Sequence, residues 1–222
     1  MITYDYTHLK TEQLVFRYIK NEKVKEINLY ALPFKPRKER AILIAHRPDM
    51  NRSVPTESLA ELSKVNFQKW DGEEDISLKN DIFVIGGAGI LDVSFANKKP
   101  IVNAHPGIIP VTRGLDSFKW AIYNNDPVGN TLHLIDNEVD KGEILQIMNT
   151  PVLTSDNLMT LARRHYENEI DMLANVLDVI ESRVIPTGME KPATMRMSAE
   201  VEAKMVRKFD DWKLKMTGLQ KN

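Results

Sequence analysis

Hydrophobic and polar positions along the chain follow two different periodicities. Short apolar runs of extended character predict strands at residues 1–6, 27–34, 65–70, 81–86, 100–105, 129–136 and 143–149. Apolar residues at helical spacing predict helices at residues 9–22, 56–64, 115–124, 158–180 and 201–214. The apolar run at residues 41–46 fits either element. Strands that alternate with helices are typical of a layered α/β fold with a largely parallel sheet.

The predicted strand at residues 100–105 carries two polar side chains in an apolar setting. Asn103 and His105 are two positions apart, so their side chains leave the same face of an extended chain. Pro106 and Gly107 then end the strand. Because catalytic groups commonly lie where a rigid strand meets a loop, we expect these two side chains to face a ligand cleft.

A second predicted strand and the loop after it add further candidates. His133 lies in the strand at residues 129–136, and Asp140 follows seven residues later, before Gly142. If the two strands pair, the Asp140 carboxylate can reach the His105 imidazole. An amide, a base and an orienting carboxylate would then suit acyl transfer to an amine. His105 is the natural acceptor of the proton that the amine loses, because the ordinary pKa of histidine, about 6.5, lies close to working pH.

These residues fall into a recognisable motif series. The runs N-x-H-P-x-x-x-P-x-x-R-G, G-x-T-x-H and x-V-D-x-G resemble the formyltransferase family that uses 10-formyltetrahydrofolate. The matching residues are Asn103, His105, Pro106, Pro110, Arg113, Gly114, Gly129, Thr131, His133, Asp140 and Gly142. The resemblance implies a Rossmann-like formyltransferase fold, with a mainly parallel twisted sheet flanked by helices. It also implies that Asn103, His105 and Asp140 are catalytic and that tetrahydrofolate is a product.

The glycine-rich run GGAGIL follows the predicted strand at residues 81–86. In the family that the chain resembles, this strand end and loop bind the pterin through main-chain groups. Small residues let a flat ring approach the backbone. The resemblance therefore implies that the folate contacts Gly87, Ala88, Gly89, Ile90, Leu91, Asp136 and Val139. A dinucleotide-binding turn fits less well, because the third glycine of G-x-G-x-x-G is missing.

Several features also have a simpler interpretation. A single buried histidine is most often a core residue, and we expect His133 to shape the site structurally. Zinc binding by His105, His133 and Asp140 is disfavoured because the chain lacks H-x-H and C-x-x-C patterns. We therefore expect no metal. The basic run at residues 35–40 is typical of a solvated loop.

Composition excludes several classes of function. The 222 residues carry a net charge of −1, which gives no general attraction to nucleic acid. The chain has no cysteine, no apolar run long enough to span a bilayer and no signal-peptide pattern at its start. We therefore expect a cytoplasmic protein without nucleic-acid or membrane partners. We expect a catalytic domain over residues 1–183 and a C-terminal extension with a helix over residues 184–222, packed on the same domain.

The amine that accepts the formyl group is inferred from features in which this chain differs from other branches of the family it resembles. Residues 3–12 contain no glycine, which disfavours glycinamide ribonucleotide, and a near-balanced charge with a short C-terminal part disfavours tRNA. The segment PVTRGLDSFKW resembles the branch that formylates a dideoxyamino sugar carried on a nucleotide. The resemblance implies that Arg113, Asp116 and Trp120 contact this substrate. UDP, dTDP and GDP stay open as carriers, and a homodimer is compatible with the sequence.

Three other functions stay open at this stage. The first is a glycinamide ribonucleotide formyltransferase-like enzyme. The second is a formyltetrahydrofolate hydrolase, in which water replaces the amine. The third is a catalytically silent binding module that has kept the pocket.

Overall fold

The computed structural model describes residues 1–36, 41–89, 91–96, 99–135 and 142–218. Within these ranges the strands are β1 (Ile2–Tyr4), β2 (Ile27–Leu32), β3 (Val65–Lys69), β4 (Phe83–Val84), β5 (Ile101–His105), β6 (Gly129–Leu134) and β7 (Ile144–Asn149). The α-helices are α1 (Leu9–Lys20), α2 (Ser117–Tyr123), α3 (Leu158–Ala174), α4 (Val176–Val179) and α5 (Ala199–Met216). Short 3₁₀ helices cover Thr56–Glu61, Ser77–Lys79 and Val93–Ala96.

The strands form a three-stranded sheet, β3-β2-β1, and a four-stranded sheet, β4-β5-β6-β7. The pairs β1–β2, β2–β3 and β4–β5 are parallel, and a parallel bridge between Ile2 and Ile85 joins β1 to β4. Strand β6 runs antiparallel to both β5 and β7. The predicted α/β fold with a mainly parallel sheet is confirmed, and the antiparallel pairs are confined to one edge. Because β1, β4 and β5 are parallel, their carboxyl ends lie at the same edge of the sheet.

Helices pack on the sheet and on one another through apolar faces. Helix α1 buries Leu14, Val15 and Tyr18. Helix α3 buries Leu161 and Leu173, among others. Both helices contribute to a core that also includes side chains of β2, β5 and β6. At about 25 cal/mol per Å² of apolar area removed from water, such burial is the main stabilising contribution to the fold.

A second cluster lies between α2, α3 and α5. It contains Phe118, Leu161, Met205, Phe209 and Trp212, each at most 5% exposed. Ser198 caps the N-terminus of α5, and its side chain accepts a hydrogen bond from the Val201 amide. The C-terminal helix is therefore packed into the core of the fold.

Three predicted elements differ in the structure. The predicted helix at residues 56–64 is a 3₁₀ helix, Thr56–Glu61. The predicted helix at residues 158–180 is interrupted after Ala174. Residues 41–46 form neither a helix nor a strand. Their apolar pattern was ambiguous because it reflects contacts with distant parts of the chain, as described below.

Candidate active site

Strand β5 positions the two polar side chains that the sequence singled out. Val102 and Ala104 are buried in the core with side chains of α1 and α3. Asn103 and His105 alternate with them, and so lie on the other face of the strand. Asn103 is half-buried, and His105 is 4% exposed. Local alternation therefore brings both groups to one face near the carboxyl end of β5.

Pairing between β5 and β6 places His133 directly opposite Asn103. The Asn103 Nδ2 atom lies 3.4 Å from His133 Nε2, and His133 Nδ1 lies 2.9 Å from the Leu134 carbonyl oxygen. A carbonyl oxygen can only accept, so His133 Nδ1 carries the proton and Nε2 accepts from the Asn103 amide. His133 thereby orients the Asn103 carboxamide.

The turn after β5 encloses the other end of the His105 ring. His105 Nε2 lies 3.1 Å from the Thr112 carbonyl oxygen and 3.1 Å from Ser117 Oγ. Thr131 Oγ1 of β6 donates to the Gly107 carbonyl and accepts from the Ile109 amide, at 2.7 and 3.0 Å. Sequence reasoning missed the roles of Thr112 and Ser117, because their positions in the sequence do not reveal that the turn folds back on the His105 ring.

The three residues expected to contact substrate all bind the segment before α5. Arg113 Nη2 donates to Glu190 Oε1 at 2.8 Å and to the carbonyl of residue 191 at 3.1 Å. Asp116 Oδ2 accepts from the amide of residue 197 at 3.0 Å, and Trp120 Nε1 donates to the carbonyl of residue 195 at 2.7 Å. The sequence did not reveal this anchoring role. Contact of these side chains with a substrate stays a prediction.

The glycine-rich run lies at the carboxyl end of β4. A Cβ atom at Gly87 would come within 2.7 Å of the His8 ring and 2.8 Å of the Tyr4 ring, so packing against these side chains requires glycine there. At Gly89, by contrast, an added Cβ would meet no atom within 4 Å. Ala88 and Leu91 are half-buried beside it. In this run Gly87 thus allows close packing, whereas Gly89 borders open space.

Four of the predicted site residues lie outside the described part of the chain. These are the predicted catalytic carboxylate and three predicted folate contacts: Asp140, Ile90, Asp136 and Val139. Their roles stay predictions. Among the residues that are described, no group of three or more histidines and carboxylates could hold a metal ion. No described helix is both long and apolar enough to cross a membrane.

A buried charge network that sequence reasoning missed joins α1, the loop at residues 45–48 and α3. Glu169 accepts from Lys10 Nζ at 2.7 Å and from Arg47 Nη2 at 2.6 Å. Burial opposes ionisation of Glu169, but the two cations outweigh it and lower the pKa of this carboxyl to about 2. Nearby, burial lowers the pKa of His46 to about 3, so its ring is neutral at physiological pH. No local spacing signals contacts between residues so far apart.

Comparison with known proteins finds similarity to formyl transferases over part of the chain. Residues 86–177 match the family model described as formyl transferase. The methionyl-tRNA formyltransferase of Ehrlichia canis is 26% identical over 172 residues, 75% of this chain and 56% of that protein. The phosphoribosylglycinamide formyltransferase of Haemophilus influenzae is 30% identical over 105 residues, 46% of this chain and 50% of that protein. The chain spans about half the length of the curated relatives it matches.

Solved structures share the fold. A 4-N formyltransferase from Francisella tularensis superposes with a TM-score of 0.59 at 16% identity, over 92% of this chain and 84% of that one. The formyltransferase PseJ from Anoxybacillus kamchatkensis was solved with UDP-4,6-dideoxy-4-formamido-L-AltNAc and tetrahydrofolate. It superposes with a TM-score of 0.50 at 22% identity, over 66% of this chain and 86% of that one. The chain is therefore similar to formyl transferases over residues 86–177, and it shares its fold with the solved formyltransferases.

Proposed function

We propose that this protein transfers a formyl group from 10-formyltetrahydrofolate to the amine of a nucleotide-linked dideoxyamino sugar. The observation that carries the proposal is the pairing of Asn103 and His105 on one face of β5, with the Asn103 amide oriented by His133. Such an amide and imidazole are the groups that acyl transfer to an amine requires.

The folate would bind at the carboxyl ends of β4 and β5. The open space at Gly89, beside the half-buried Ala88 and Leu91, supports this position because a flat ring can approach the backbone there. When bound, 10-formyltetrahydrofolate supplies an activated formyl carbon. Gly87 contributes close packing against Tyr4 and His8. The predicted contacts Ile90, Asp136 and Val139 belong to the same proposal.

Each of the catalytic residues has a distinct task. The Asn103 Nδ2 group donates a hydrogen bond to the formyl oxygen, where negative charge develops as the amine attacks. His105 takes the proton that the amine must lose. Asp140 favours the protonated imidazole by its negative charge. The site needs no serine or cysteine nucleophile, and the chain contains no cysteine.

The nucleotide-sugar substrate is supported by two features. Residues 5–8 between β1 and α1 contain no glycine, unlike the glycine-rich phosphate loop expected for a glycinamide ribonucleotide enzyme. Structural neighbours include a 4-N formyltransferase and a formyltransferase that was solved with a UDP-linked formamido sugar and tetrahydrofolate. Arg113, Asp116 and Trp120 are the proposed substrate contacts. The division at residue 183 and a homodimer also stay predictions.

A substrate panel tests the proposal. The purified protein is incubated with 10-formyltetrahydrofolate and, in turn, UDP-, dTDP- and GDP-linked dideoxyamino sugars, glycinamide ribonucleotide, methionyl-tRNA, or no amine. Tetrahydrofolate release is followed by absorbance and the formylated product by mass spectrometry. We expect formylation of one nucleotide sugar. Product from glycinamide ribonucleotide or tRNA alone would replace the substrate assignment, and folate release without any amine would establish a hydrolase.

Variants test the residues. We expect Asn103→Ala and His105→Ala each to lower turnover at least about a hundredfold with unchanged circular dichroism, the scale of losing an oxyanion donor or a general base. Asn66→Ala is the matched control, because Asn66 is an exposed strand residue in β3 at the opposite edge of the sheet. Turnover retained by both site variants would remove these roles.

A further inference from the structure

The Nε2 atom of His105 has two oxygen neighbours at the same distance. The Thr112 carbonyl oxygen and Ser117 Oγ each lie 3.1 Å away. All three residues are buried, at 4% exposure or less. Buried polar groups at such distances are hydrogen-bonded, so the chemistry of the two oxygens determines where the imidazole proton lies.

Both neighbours act as acceptors toward the ring. The Thr112 carbonyl oxygen has no proton to give, so a hydrogen bond to it requires a proton on Nε2. Ser117 Oγ also lies 2.9 Å from the Gly114 carbonyl oxygen, which likewise can only accept. The Ser117 hydroxyl proton therefore points to Gly114, and its oxygen lone pair faces His105 Nε2. One N–H group is thus shared by two acceptors.

The turn is built to hold this arrangement. A Cβ atom at Gly107 would lie 2.4 Å from the Thr112 carbonyl oxygen, 2.8 Å from His105 Nε2 and 2.9 Å from Ser117 Cβ. Only glycine permits such a close approach. The Thr112 backbone is fixed in turn by Ile108, whose amide donates to Thr112 Oγ1 at 2.8 Å and whose carbonyl accepts from the Thr112 amide at 2.7 Å.

We infer that the Thr112 carbonyl and the Ser117 hydroxyl hold His105 in the Nε2–H tautomer, so that Nδ1 is its basic nitrogen, and that Ser117 is a positioning residue. This inference rests on the proposed function only for its effect on catalysis. The sequence analysis expects the Asp140 carboxylate to orient His105, and that role stays a prediction. The contacts of His105 Nε2 within the described part of the chain do not depend on it.

The tautomer can be read without any assay of activity. In protein labelled with ¹⁵N-histidine, two-bond nitrogen–proton correlations distinguish a ring protonated at Nε2 from one protonated at Nδ1, and His105→Gln assigns the signal. We expect the Nε2–H pattern at a pH where the ring is neutral. An Nδ1–H pattern in the wild-type protein would overturn the inference, whatever reaction the protein catalyses.

Variants of Ser117 test the positioning role. We expect Ser117→Ala to lower kcat about tenfold with KM values unchanged, the scale of one lost hydrogen bond at the reacting group, and to add a fraction of the Nδ1–H form. Ser117→Thr keeps the hydroxyl and should restore both readings. Ser63→Ala, at an exposed turn, is the control and should change neither.

The outcomes separate the two proposals. An Nε2–H ring in a protein that formylates no amine would refute the proposed function and leave the tautomer assignment standing. Active protein in which Ser117→Ala changes neither kcat nor the tautomer would refute the positioning role alone. If Ser117→Ala fails to fold, the wild-type spectrum still decides the tautomer, and Ser117→Cys takes the place of the alanine variant.

Discussion

The buried ion pair between α2 and α5 gives the sharpest stability prediction. Lys119 Nζ contacts Glu202 Oε1, and both side chains are 1% exposed. The Glu202 carboxylate also accepts from the amides of Leu43 and Ile44, at 2.9 and 3.2 Å. One carboxylate thus links the C-terminal helix, α2 and the irregular loop at residues 41–46.

The perturbation is Glu202→Gln. The glutamine keeps the shape and an oxygen that can accept from the loop, but it removes the charge that compensates the Lys119 ammonium. Breaking a buried ion pair on one side costs about 3–5 kcal/mol, because the remaining charge is left uncompensated. Total stabilities of domains are about 5–15 kcal/mol, so the variant should lose a substantial share of the free energy of unfolding.

A second substitution separates charge from shape. In Lys119→Met/Glu202→Gln neither charge remains, and the glutamine oxygen can still accept a hydrogen bond from one of the two loop amides. We expect the double variant to be at least about 2 kcal/mol more stable than Glu202→Gln, since an apolar replacement of a buried pair is often close to neutral.

Urea unfolding measures these differences. Tryptophan fluorescence is a suitable probe because Trp212 is buried in α5 itself. Glu200→Gln is the matched control: Glu200 lies in the first turn of the same helix, in an exposed pair with Lys204, and its loss should be too small to measure. A Glu202→Gln variant within about 1 kcal/mol of wild type, or a double variant no more stable than the single one, would refute the reasoning.

Three further variants test other parts of the fold. Two hydrogen bonds from Arg164 outweigh burial and lower the pKa of Asp156 from 3.8 to about 2. Because this pKa is lower in the folded state than in the unfolded state, the Asp156 carboxylate adds about 2 kcal/mol to the free energy of unfolding above pH 4, and this contribution is lost as the pH falls toward 2. In urea titrations from pH 6 to 2.5, Asp156→Asn should therefore show a weaker loss of stability with acid than the wild type. Tyr18→Phe removes the buried hydrogen bond, 2.7 Å long, that the Tyr18 hydroxyl donates to the Leu173 carbonyl, and it should lower the free energy of unfolding by about 1–2 kcal/mol. An unchanged free energy of unfolding would argue against that hydrogen bond. Gly129→Ala places a Cβ 2.7 Å from a backbone oxygen of β7 and should cost about 1–3 kcal/mol, and an unchanged urea midpoint would contradict this crowding.

Local periodicity was sufficient to predict most elements and the central part of the site. Alternation along β5 required Asn103 and His105 to share a face, whatever the rest of the chain did. The pattern of β6 likewise predicted a strand that carries His133, and only the structure shows that this strand pairs with β5. The apolar run at residues 41–46 fitted either a helix or a strand, so the sequence assigned no element there. The structure shows a loop.

Long-range contacts were beyond the sequence. Lys10 and Glu169 are 159 positions apart, and Lys119 and Glu202 are 83 apart. Arg113 illustrates the same limit: its contact with Glu190, 77 positions away, could not be foreseen from the sequence, and its expected contact with a substrate stays a prediction. Which charge meets which partner depends on how helices pack across the sheet.

The sequence by itself determined which side chains share a face of a strand or helix, because backbone geometry repeats every two or 3.6 residues. Only the tertiary structure decided the partners of those side chains. His105 shows the difference: its place in β5 follows from alternation, but the direction of its Nε2–H bond depends on a turn that returns the Thr112 carbonyl and Ser117 hydroxyl to the ring. Hydrogen bonds act over about 3 Å, and only folding brings such distant atoms within that distance.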